Sequence, residues 1–243
     1  MIYWLLSIAF AQADTWSTLP VCLDNYSTCE RVYTAQPKRT RNPALLRFTD
    51  PELSQSKWIP LHVERLLDPN TSEAVQLALI TLLQQSNIES VESRLLPLFE
   101  AESPELRAGM TELLPSLTVE AQKMSISVLT EDSDWLVRSQ LMRVVARHLG
   151  QTHPETLISG LTDDHPEVRL HAVKGLGWND VGIPLQELSP LLQDSDARVR
   201  LYSLRTIDRL YPGTVLKLGL LDTILDDPDP KVQREILRIQ TAH

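Results

Sequence analysis

The chain has 243 residues, a formal charge of -9, and 42% hydrophobic and 23% charged residues. That mixture argues against an intrinsically disordered chain, and the length allows one sizeable domain or one elongated array with an apolar interior. The negative balance argues against a general binder of nucleic acid or anionic lipid, whose phosphates it would repel.

The charge is uneven. Asp14 to Pro60 carries six basic and five acidic residues, whereas the rest carries seventeen basic and twenty-seven acidic. Lys38-Arg39-Thr40-Arg41 with Arg47 is the one linear basic cluster. Aromatic residues are only 5%, so an interior of Leu, Val, Ile and Ala is expected.

Ile2 to Phe10 is an apolar run too short to span a bilayer, and Ala11-Gln12-Ala13 follows it as a small-x-small cleavage signature. This predicts a signal peptide over 1–13, cut after Ala13, with Ala9-Phe10-Ala11 as an alternative cut. The mature chain is then exported, periplasmic or extracellular. The two cysteines, Cys22 and Cys29, fit that compartment as one disulfide, closing a short loop and contributing roughly 2–3 kcal/mol. A redox pair or a metal half-site is the alternative; the spacing is not Cys-x-x-Cys, and no second Cys or His pair lies nearby. No later stretch approaches about 18 continuous apolar residues, so no membrane span is expected once the leader is removed.

Residues 14–57 are punctuated by Pro20, Pro37, Pro43 and Pro51. They read as an irregular cap, with short helices at 43–48 and 51–56, that covers the first open face of the array C-terminal to it.

From 58 to 243 one phrase recurs. Asp132-Ser-Asp-Trp-Leu-Val-Arg138, Asp163-Asp-His-Pro-Glu-Val-Arg169 and Asp194-Ser-Asp-Ala-Arg-Val-Arg200 are near-twins, and Asp227-Pro-Asp-Pro-Lys-Val-Gln233 is a looser copy. With its apolar residue as position zero, the series is Val75, Leu106, Val137, Val168, Val199 and Val232, in steps of 31, 31, 31, 31 and 33. A fixed period of this size signifies stacked supersecondary units.

Three residues earlier stand Ser72, Ser103, Asp134, His165, Asp196 and Asp229. All but the histidine are favoured N-caps, and Pro104, Pro166 and Pro230 follow at the first helical position. A helix therefore starts in each copy. Its apolar stripe falls at position zero, four or five on, and eight on, as in Val137, Leu141 and Val145. Second helices are expected at 61–67, 88–100, 119–130, 154–161, 184–192 and 214–225.

Asp-x-Asp-x-x-Val-Arg opening a helix, an apolar stripe, and then Leu149-Gly150 or Leu176-Gly177 resembles the HEAT repeat. The nearest subclass is the short HEAT-like type named after the phycobilisome lyases. The resemblance is strong from Asp132 to Gln233. It weakens in the first two copies, where Asn70 and Ala101 replace the leading Asp and Gln76 replaces the Arg. It implies an all-α fold: a right-handed α-solenoid of about six two-helix repeats behind the irregular cap.

The repeated Asp and Arg admit two roles, an acidic ladder for a cation or a structural tie between neighbouring repeats. Recurrence at the repeat period favours the tie, since a site is needed once; the resemblance implies the same. Asp134, His165, Asp196 and Asp229 read as structural caps. His165 and His171 lie near Asp163 and Asp164, but no metal site is expected there. HEAT-like hydroxylases hold iron with His-Glu dipeptides, and none occurs here. Neither a nucleophile elbow nor a phosphate-cradling loop is present, so no catalytic residue and no cofactor is assigned. Trp135, just inside a helix start, and Trp178, in a Gly-Trp-Asn-Asp loop, are the candidate binding residues, as interface anchors or as packing on the neighbouring turn.

These readings point to a non-catalytic exported scaffold or adaptor. It would bind a protein or peptide along the surface lined by the second helices, with a basic or neutral partner favoured over nucleic acid. The rivals are a lyase-like or chaperone subunit of an enzyme and a structural envelope component.

Overall fold

The computed structural model describes residues 59–242. The expected leader at 1–13, the cap at 14–57 and the Cys22–Cys29 pairing lie outside the described residues. Among the described residues every regular element is helical. The chain divides into two units after Leu95.

In the first unit, α1 (Ile59–Leu67) packs on α2 (Glu73–Leu83), and a 3-10 turn at Glu89–Val91 leads into the short α3 (Glu92–Leu95). Val63 and Leu66 from α1 and Leu79 and Leu83 from α2 are buried. The intervening turn is closed by side chains: Thr71 Oγ1 donates to the Arg65 carbonyl at 2.7 Å, and Gln76 Nε2 donates to the Leu66 carbonyl at 3.0 Å.

The second unit holds α4 (Pro104–Met110), α5 (Val119–Thr130), α6 (Trp135–Val144), α7 (Pro154–Ser159), α8 (Pro166–Trp178), α9 (Leu185–Leu188), α10 (Ala197–Leu210), α11 (Thr214–Lys217) and α12 (Pro230–Ala242). The capped helices α4, α6, α8, α10 and α12 each pack on the next, as one layer. A second layer backs them, with α5 on α6, α7 on α8, and α9 and α11 on α10. This is the two-layer, nearest-neighbour packing of an α-solenoid. Every residue of the apolar stripe is buried, from Leu106 and Met110 through Val168, Ala172 and Leu176 to Val232 and Ile236. One glycine sets how closely the layers approach. A Cβ on Gly175 would sit 2.7 Å from the Ala146 Cβ and 2.9 Å from Leu157 Cδ2, so α8 can lie against α7 and the helical turn after α6 only without a side chain there.

The backing layer is less regular than the spacing predicts. α1 covers the expected 61–67 and α5 fills 119–130, but the other second helices are shorter than expected. The stretches expected as helices over 88–100, 184–192 and 214–225 each hold a single four-residue α segment beside 3-10 turns, at Leu96–Glu100, Ser189–Gln193 and Leu220–Thr223. Pro97 and Pro190 remove the amides that α-helical bonding would need, and Gly219 turns left-handed at φ 63.

Candidate functional site

The recurring phrase builds a turn with two bonded layers. The cap atoms form one of them. Asp134 Oδ1 accepts from the Leu136 amide at 2.8 Å, Asp196 Oδ1 from the Arg198 amide at 2.7 Å, and Asp229 Oδ1 from the Lys231 amide at 2.7 Å. His165 does the same through Nδ1, accepting from the Glu167 amide at 3.3 Å. Ser103 caps α4 by accepting from the Leu106 amide at 3.1 Å, whereas Ser72 makes no side-chain cap bond.

The second layer is an arginine–aspartate ladder between repeats. Arg107 Nε lies 2.6 Å from Asp132 Oδ2, and the same 2.6 Å contact joins Arg138 to Asp163, Arg169 to Asp194 and Arg200 to Asp227. A second bond from each guanidinium to Oδ1 makes every rung bidentate. Each arginine also donates to a carbonyl of its own turn, as Arg169 does to Asp163 O at 2.7 Å. Each aspartate Oδ1 accepts from the amide two residues on. Burial pushes Asp132, Asp163 and Asp194 up, but hydrogen bonds from the arginine and that amide outweigh it, so all three stay below the usual carboxylate range. At Asp227 the Arg200 hydrogen bond is the leading influence, in the same direction. These groups are held charged and spent on stacking. Gln233, at the arginine position of the last copy, bonds only to the Leu225 and Asp227 carbonyls of its own turn.

The two tryptophans sit apart. Trp135 opens α6, and its ring stacks on His165 of the next repeat at a centroid separation of 3.9 Å, leaving it 42% exposed. Trp178 is not in a loop. It is the last residue of α8 and 59% exposed. The helix runs through it because it ends in a Schellman turn: Val181 N donates to Leu176 O, Asp180 N donates to Gly177 O, and Asp180 takes φ 48. Asn179 then fastens the end, its amide donating to Ala146 O at 2.7 Å and to Gly175 O at 2.8 Å. Since His165 caps the other end of α8, the length of that helix puts Trp178 about 18 Å from the Trp135–His165 stack.

Neither tryptophan lines a groove of this unit. A groove of about 610 Å³ runs across α8, α10 and α12, all three capped helices, and no residue of the backing layer borders it. Its floor includes Leu170 and Leu201, with Tyr202 beside them. Its walls are cationic, with six Lys or Arg against two Glu. Lys174 Nζ lies 4.1 Å from the centroid of the Tyr202 ring, and the Arg205 guanidinium carbon 5.4 Å from it. His171, also on the wall, is held down at about 4 by burial and by the charges of Lys174 and Arg143, so it is neutral near neutral pH. This groove is thus on the capped helices rather than the second helices, and it is basic within an acidic chain.

A family model described as HEAT repeats matches residues 122–207. That stretch consists of HEAT repeats. The matched model is the general repeat, not the subclass named after the lyases. The crystal structure of YibA from Escherichia coli is similar at a TM-score of 0.58 and 16% identity, over 94% of this chain and 97% of that one. At that identity the likeness shows the fold alone. An engineered protein aligns over 87% of this chain and 94% of its own, also at 16% identity but with a TM-score of only 0.37. Comparison with the curated proteins finds no match.

HEAT repeats form helical scaffolds that are generally non-catalytic and typically mediate protein interactions. Among the described residues, no group of three or more His, Cys, Asp or Glu is placed to hold a metal ion, and no helix is long and apolar enough to cross a membrane. Part of the groove's cationic wall recurs at the repeat period. Six residues after position zero stand Arg143, Lys174, Arg205 and Arg238, a cation in each of the last four copies. Summed charge hides that column, because the acidic residues surrounding it are more numerous.

Proposed function

We propose that the chain is an exported, non-catalytic scaffold or adaptor whose HEAT repeats bind a protein or peptide partner. The observation that carries this reading is the groove across α8, α10 and α12, an open surface shared by three successive repeats and lined by exposed side chains. Stacked repeats provide extended surfaces of this kind. The titratable residues of the recurring phrase support the non-catalytic part, being engaged in caps and rungs rather than gathered in a pocket. Export rests on the apolar run from Ile2 to Phe10 and on Ala11-Gln12-Ala13. Trp135 and Trp178 remain proposed contacts at the rims of two different repeats.

The test is site-directed photo-crosslinking in the native source, with a photoreactive residue in place of Arg205 in the groove or of Met124 on α5. A discrete protein adduct from position 205 is expected. An adduct from position 124 alone would move the binding face to the second helices. Adducts from neither position, together with a substrate turned over by the purified protein, would sink the reading. Mass spectrometry of the exported protein, looking for Asp14 at the N-terminus and a Cys22–Cys29 bond, tests the compartment separately.

A further inference from the structure

We propose that the groove across α8, α10 and α12 recognises an acidic peptide segment, whose carboxylates seat on the cation column of successive repeats. This rests on the protein-binding reading above and adds the chemistry of the partner.

The groove supplies too few counter-charges of its own. Of its two carboxylates, Glu167 is taken by Arg198 at 2.5 Å, and Glu235 is taken twice, by Arg205 at 2.9 Å and Arg238 at 2.6 Å. Arg238 also reaches Asp208 at 2.7 Å. No carboxylate pairs with Lys174, Lys231 or Arg234 among the described residues. Lys174 rests on the Tyr202 ring, and the Arg234 side chain donates only to the Pro230 carbonyl. Three cations therefore face one groove unanswered, one from α8 and two from α12. The paired arginines Arg198, Arg205 and Arg238 are still about half exposed, at 52%, 45% and 50%, and keep donors available to a second acceptor. Burial first, and then the charges of Lys174 and Arg143, keep His171 in the groove wall neutral, so it adds no cation of its own.

Geometry selects a peptide. Packed helices lie about 8–10 Å apart, so the three helices span roughly 20 Å, which is about six residues of extended chain. Acidic side chains roughly every third residue would then fall opposite successive helices. Apolar side chains between them would meet the Leu170 and Leu201 floor. A nucleic acid fits less well: its phosphates continue past the groove onto a chain with net charge -9, where each further contact is repulsive. The partner chemistry is thus opposite in sign to what the bulk charge implies, because recognition is local and the screening length is about 10 Å or less in physiological salt.

The experiment uses the full mature chain and fluorescence anisotropy. The probe is a labelled peptide of about ten residues containing Glu and Leu. A Lys- and Leu-containing peptide of the same length and an oligothymidylate of the same net charge serve as comparisons. The acidic peptide is expected to bind, more weakly as salt rises, and the Lys174→Gln, Lys231→Gln, Arg234→Gln triple variant to lose about tenfold in affinity. Lys231 and Arg234 are exposed, so their double variant keeps the test valid if the triple is less stable. Unchanged affinity in either correctly folded variant overturns the proposal. Oligothymidylate binding as tight as the peptide overturns it in favour of nucleic acid. Binding of the basic peptide in place of the acidic one overturns it while leaving the protein-binding reading intact, since that reading is decided independently by the photo-crosslinks.

Discussion

Two rows of cations run along the same helices, and they behave differently. The arginines one residue after position zero, Arg107, Arg138, Arg169 and Arg200, are nearly buried, each locked into a bidentate rung and two turn carbonyls. The cations six residues after it, Arg143, Lys174, Arg205 and Arg238, lie on or beside the groove and are only partly matched by carboxylates. Both rows recur at the period of the fold, so recurrence alone does not mark a residue as structural. What separates them is that the first row is nearly buried with a carboxylate for each arginine, whereas Arg205 and Arg238 of the second row are about half exposed and share Glu235.

Acid titration separates the rows most widely. The ladder carboxyls sit below their usual value when folded, so as pH falls through about 3.9 the unfolded chain takes up protons first. Their contribution is complete above that pH and is lost below it, four rungs together. His171 also has a lowered value, but from about 6.5 to about 4. Stability should therefore decline gently from pH 6.5 to 4, by at most about 1.4 kcal/mol per pH unit for one proton, and then steeply. Urea midpoints across pH 7 to 3 check this. A steep loss above pH 5 would contradict the assignment of the acid-sensitive step to the ladder.

Single rungs give the next largest effect. Arg169→Ala leaves Asp194 nearly buried without its partner and should cost about 3–5 kcal/mol in urea unfolding. A loss under about 1 kcal/mol would place the ladder among ordinary surface pairs. Asp134→Ala removes one cap acceptor and should cost about 1 kcal/mol. At the other extreme, Lys231→Gln should change stability by less than about 0.5 kcal/mol while weakening the acidic peptide. If Lys231→Gln destabilised the fold as Arg169→Ala does, the distinction between the rows would collapse.

The capped helices were readable because each copy repeats its own cap, proline and apolar stripe within a dozen residues. The inter-repeat rungs were readable as Asp and Arg recurring in step, although their partners lie 25 to 27 residues away. The backing layer was less so, since Pro97, Pro190 and Gly219 decide locally between α and 3-10 geometry against a favourable apolar pattern. Trp178 was misplaced because Asn179-Asp180 looks like a loop, whereas it is the left-handed end of a Schellman turn. The groove escaped a linear reading for a different reason. Its six cations come from three helices that become neighbours only after stacking, and carboxylates interspersed with them along the chain mask them.

The rungs also bear on how the second unit would respond to tension. Each one links only adjacent repeats, so a pull on the ends loads them in series rather than together. Extension should proceed in discrete lengths, each freeing about 31 residues or roughly 100 Å of contour. Among the described residues the repeats opening at Ser103 and at Asp229 each take part in a single rung, Arg107–Asp132 and Arg200–Asp227, and peeling should begin at one of them.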